Sequence, residues 1–204
     1  MNPKHAILNT FLIGLLFFAL PGVTTGKTKL TSTQIDDQYK GGPLKSVMVV
    51  AVSEKPKNRK IFEDAFVKQY QGYEVKAVSS LSVIPSDKKL DKGLVMAAAE
   101  KLGVGHIFVV HLMSIEKKTE EIPIAITGSG GRTGIYIPSH RYNMPGMEIK
   151  QTRVKLKSRL FEFKTEKLIW SATSESFDPK SAKDIVGPLC RLVMKSMQKN
   201  KLLK

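Results

Sequence analysis

The chain has 204 residues with 33 Lys and Arg against 18 Asp and Glu, a formal charge of +15. That length suffices for one domain with a proper core, and the charge points to anionic partners without specifying a fold. Cys190 is the only cysteine, which excludes an internal disulfide, so the core alone must hold the domain.

Residues 1–26 read as a secretory signal peptide. Lys4 gives a positive start, residues 11–20 form an apolar run of ten, Pro21-Gly22 breaks it, and Thr24-Thr25-Gly26 offers the small residues of a cleavage site. The alternative, an uncleaved anchor, is disfavoured because a spanning helix needs about 20 apolar residues. An exported basic protein is expected to meet anionic lipids, envelope polymers or envelope proteins rather than nucleic acid. No cysteine lies near the cleavage site, so lipid attachment there is not expected.

Residues 27–44 are polar, end in Gly41-Gly42-Pro43, and read as a linker or loosely docked arm. Residues 45–53 (KSVMVVAVS) read as a strand buried on both faces. Asn58 is the expected N-cap of a helix whose Ile61, Phe62, Ala65, Phe66 and Tyr70 share one face, with Lys57, Arg59, Lys60 and Lys68 toward solvent. Gly72 ends it, and Tyr73, Val75 and Ala77 alternate as in a second strand. Ser86 or Asp87 is expected to cap a helix carrying Leu90, Leu94, Ala97, Ala98 and Leu102, closed by Gly103.

Residues 106–113 (HIFVVHLM) are apolar on both faces and read as a central strand. The order so far, β-α-β-α-β, implies a parallel arrangement. Residues 120–147 read as an excursion, two extended pieces around the glycine-rich tip GSGGRTG. Strands are expected at 152–163 and 167–174, joined by a tight turn. A last helix starts at Asp178-Pro179, with Gly187-Pro188 kinking or splitting it. The fold class is therefore α/β, with a mixed sheet in two or three layers, and residues 45–204 form one domain.

The segments MVVAVSEKPKNRKIFEDAF, KLGVGHIFVVHL and RLFEFKTEKLIWSATSES resemble a group of bacterial envelope proteins, many of them lipoproteins. Their β-α-β-α-β-β-β-α domain is similar to the amino-terminal domain of the periplasmic Tol-system propeller protein and to penicillin-binding-protein activator lipoproteins. Curli-secretion channel lipoproteins share that architecture. The resemblance covers residues 45–199 as an order of elements and implies a binding module before an enzyme. The missing lipidated cysteine is a departure from it, and implies a soluble periplasmic or exported protein.

Candidate chemistry is sparse. His106 and His111 are five apart on one strand, so they point to opposite faces and cannot share a metal ion. His111 reads as a core or strand-end residue, and Cys190 as a buried inert thiol. GSGGRTG lacks the lysine and following hydroxyl of a phosphate loop. No serine sits in G-x-S-x-G, so no cofactor, metal or catalytic residue is expected, and a cryptic hydrolase is the least favoured reading. The sharpest feature is TRVKLKSRLFEF. Val154, Leu156 and Leu160 face one way, and Arg153, Lys155, Lys157 and Arg159 face the other. Those four cations form a rail about 20 Å long. It reads either as an anion-binding face, extended by Arg132, His140 and Arg141 of the excursion, or as protection of an exposed edge strand. An alternative function is an oligomeric membrane-associated assembly that uses residues 122–139 as a hairpin.

Overall fold

The computed structural model describes residues 28–122 and 147–204, without the side chains of 120–122 and 147–149. The elements are β1 (Thr28–Ile35), β2 (Ser46–Val52), α1 (Pro56–Gln71), β3 (Lys76–Ser79), a 3₁₀ turn (Ser80–Ser82), α2 (Lys92–Leu102), β4 (His106–Ile122), β5 (Met147–Glu162), β6 (Leu168–Phe177) and α3 (Ala182–Lys199). The described strands form one mixed sheet, ordered β1-β6-β5-β4-β2-β3. β2 pairs in parallel with β3 and β4, and every other pairing is antiparallel. The α/β class and the mixed sheet are as expected.

α1 and α3 cover one face of the sheet. Phe62, Phe66, Tyr70, Leu189, Val193 and Met197 pack there on Val47, Val49, Phe108, Leu160 and Trp170. α2 covers the other face over β2 and β4 only, through Ala98 and Ala99 on Met48, Val50 and Ile107. The sheet is thus sandwiched at one end, and among the described residues no helix packs on the α2-side face of β5, β6 and β1.

Several expectations need correction. Residues 27–44 are not simply an arm, because Thr28–Ile35 is a strand hydrogen-bonded to β6. A bulge between Leu30 and Ser32 reverses the side-chain alternation, so Leu30 and Ile35, five apart, both pack against the core. The second strand lies at Lys76–Ser79 rather than 73–77, after Glu74 adopts φ 58°. β4 and β5 are longer than expected and pair with each other out to Ile122 and Met147. Most of the 120–147 excursion lies outside the described residues.

The helix starts also move. Pro56 occupies the first turn of α1, and the residue before a proline avoids helical geometry, so Lys55 rather than Asn58 is the extended cap. Asp91, not Ser86 or Asp87, caps α2 by accepting from Leu94 N at 2.8 Å. Asp178 takes φ 48° and exchanges two hydrogen bonds with Thr152, which leaves Ser181 to cap α3. Ala182–Lys199 is one helix with Pro188 inside it, so the alternative of two consecutive helices falls. An interior proline costs about 3 kcal/mol, and each well-buried side chain such as Ile185, Leu189 or Met194 returns about 1.5–3 kcal/mol, so packing outweighs the break.

Arg59 is 1% exposed rather than solvent-facing, because α1 presents the stripe Arg59, Glu63, Phe66 and Tyr70 to the sheet. Glu63 accepts from Ala51 N, Arg59 Nε and Ser80 Oγ on one oxygen, and from Ser79 Oγ and Leu81 N on the other. Arg59 also donates to Ser80 Oγ and to the carbonyls of Ile84 and Pro85. The pair therefore ties α1 to the ends of β2 and β3.

Candidate functional site: the uncovered sheet face

β5 supplies the basic side chains because one of its faces builds the core. Val154, Leu156, Ser158 and Leu160 are buried, while Arg153, Lys155, Lys157 and Arg159 between them are half-buried on the opposite face. β5 lies between β4 and β6, so the edge-protection reading of its lysines falls. Cations in mid-sheet are flanked by neighbours on both sides and protect no edge.

Those neighbours divide the rail in two. Arg153 lies over the Phe177 ring, 5.2 Å from its centroid, as does Lys29 at 5.3 Å. Lys155 Nζ donates to Glu116 Oε1 at 2.7 Å and is 3.9 Å from Glu175. The Lys155 hydrogen bond holds the Glu116 carboxyl below its usual range, so this end of the rail is internally neutralised. Lys157 pairs across the ladder with His111 and Thr173, and Arg159 with Val109 and Ser171, none of them anionic. Among the described residues neither Lys157 nor Arg159 has an ion pair or side-chain hydrogen bond.

Arg159 also borders a cavity of about 520 Å³ between α2 and the sheet, walled by Val50, Val95, Met96, Val109 and Phe161. Three acids line it as well. Asp91 is committed to capping α2, Glu162 accepts from Thr165 Oγ1 at 2.6 Å, and Glu166 is paired with Lys92, joining the β5–β6 turn to α2. A second cleft of about 320 Å³ opens on the other face, between Lys55 and Asn58 near the start of α1 and Ser181 at the start of α3, and reaches Leu112 and Ile115.

The remaining sequence candidates are dispersed. His106 faces the α1 and α3 side, with Nδ1 donating to Ser46 O at 3.3 Å and Nε2 hydrogen-bonded at 3.0 Å to the Tyr39 hydroxyl, which also reaches Gly42 O at 3.4 Å. Burial lowers its pKa, partly offset by the Ser46 bond and the Glu162 charge. His111 is half-buried on the basic face. Cys190 is buried, and burial pushes its thiol up to about 12. Arg132, His140 and Arg141 lie outside the described residues. Among the described residues no His, Cys, Asp or Glu group could hold a metal ion, and no helix is long and apolar enough to cross a membrane. Sequence reasoning missed the cavity, whose walls come from five separate segments. It also missed Arg59 with Glu63, which share the stripe of Phe66 and Tyr70 at i, i+4 spacing and could have been found there.

No known protein family matches this chain, and no curated protein does. Among solved structures it is similar to a PelC dodecamer from Paraburkholderia phytofirmans (13% identity, 84% of this chain and 95% of that one, TM-score 0.42). It is similar also to the lipoprotein GNA1162 from Neisseria meningitidis (12%, 76% and 99%, TM-score 0.43). A PDZ domain protein from Parabacteroides distasonis follows at 9% identity, with 87% of this chain, 38% of that one and TM-score 0.38. At these identities and scores the likenesses assign neither function nor partner, so the functional reading rests on the geometry.

Proposed function

We propose that this chain is a non-enzymatic binding module of the cell envelope that engages an anionic lipid or polymer through the uncovered face of its sheet. The observation that carries this reading is the state of Lys157 and Arg159, two half-buried cations side by side on a central strand, neither of them in an ion pair or side-chain hydrogen bond among the described residues. Partial desolvation strengthens their attraction for an anion, and the strand fixes their spacing at roughly 6.6 Å. The basic composition adds long-range attraction, and the signal-like residues 1–26 would deliver the chain to the envelope. Co-sedimentation with anionic and neutral lipid vesicles at low and high salt tests the reading. Binding to the anionic set alone, weakened by salt, supports it. Equal binding to both sets contradicts it, and no binding to either removes the lipid and leaves only an anionic polymer as the partner.

A second reading, an assembly subunit joined through the 122–139 segment, draws on one observation. Beyond His111, β4 has no β2 partner, and before Arg153, β5 has no β6 partner, so among the described strands the two continue as a ribbon paired to each other. A monomeric mass in solution and in detergent would count against it.

A further inference from the structure

We infer that the cavity under α2 holds the hydrocarbon tail of a single-chain anionic amphiphile whose carboxylate or phosphate head sits on Arg159. The inference rests on the anion-binding reading above and narrows its ligand class. Its volume, about 520 Å³, lies within the roughly 300–1,000 Å³ of small-molecule sites. Val95 and Met96 of α2, with Val109 and Phe161 of the sheet, are half-buried walls that contact water until something apolar covers them.

The polar groups at the rim select the head. Glu166 is paired with Lys92, and Asp91 and Glu162 keep their charge while accepting from Leu94 N and Thr165 Oγ1, whereas Arg159 donates to none of the described residues and is left to pair with an incoming anion. A guanidinium offers a planar fork that matches a carboxylate or phosphate with two parallel hydrogen bonds. Lys157 lies one step farther along the same face and adds a second positive charge for a dianionic head. A sugar would fit poorly, because its hydroxyls would face valine, methionine and phenylalanine without hydrogen-bond partners. A neutral hydrocarbon would fill the cavity but leave the guanidinium unused.

The test is calorimetric titration of the purified protein with dodecanoate, dodecyl phosphate, dodecanol and shorter carboxylates. Affinity is expected to rise about fourfold per added methylene until the cavity is full, equivalent to about 0.8 kcal/mol each. Arg159→Gln should weaken dodecanoate by about tenfold or more and leave dodecanol unchanged. Val95→Phe should weaken both, and if that variant does not fold, the methyl signals of Met96 and Val109 in the unaltered protein provide the same readout. They should shift on adding dodecanoate while those of Ile185, on the far face, stay fixed. Affinity independent of chain length, or unchanged dodecanoate binding by Arg159→Gln, overturns the inference. Salt-sensitive binding to anionic vesicles without any dodecanoate binding overturns it too, while leaving the anion-binding reading in place. Loss of both removes both.

Discussion

Arg59 Nε donates to Glu63 Oε1 at 3.0 Å, and the two side chains are 2% and 0% exposed, one turn apart on α1. Removing one partner from a buried pair strands the other charge, at a cost of about 3–5 kcal/mol. Glu63→Gln is expected to destabilise the protein by that amount in denaturant unfolding. The double variant Arg59→Met with Glu63→Leu is expected to lose less than the two single changes summed, because it leaves no unpaired charge. Strict additivity would mean that the two residues do not act as a unit.

His106 makes stability depend on pH. Its folded pKa lies below the ordinary 6.5, so the unfolded chain binds the proton more readily. The stabilisation is full above about pH 6.5 and is lost as the pH falls toward the folded value. The thermal midpoint should fall between about pH 7 and pH 5, and His106→Gln should flatten that slope. An equal slope in the variant would transfer the effect to other groups.

Cys190 is 1% exposed with its thiol pushed up to about 12. The thiolate is the reactive species, so alkylation at neutral pH should proceed only as fast as the protein unfolds. Rapid labelling of a protein whose circular dichroism is unchanged would contradict this.

Much of the fold is legible in the sequence because its core strands are unusually apolar. VMVVA and HIFVV mark β2 and β4, and the alternation of β5 assigns its two faces. What stays hidden has local causes. β1 carries only Leu30 and Ile35 as aliphatic residues, and a bulge spoils their period. The outer part of β4 runs past the described core, where Ile115 is 57% exposed and Lys117, Lys118 and Thr119 are exposed too, so no buried face imposes an apolar alternation there and its ladder with β5 supplies the order. The rail is legible as four like charges, but its division is not, since Glu116, Glu175 and Phe177 reach it from other strands. The position of β5 inside the sheet depends on strand order, which no local pattern encodes.

The division of the rail into a neutralised and an unpaired half is the centre of the account. It is tested most directly by pelleting with anionic vesicles at low salt, comparing Lys155→Ala with the double change Lys157→Glu and Arg159→Glu. Lys155 is already neutralised by Glu116 and Glu175, so its loss is expected to cost little binding. The double reversal is expected to abolish pelleting while the unfolding transition stays cooperative. Undiminished pelleting by a folded double variant would contradict the assignment of this face as the binding site.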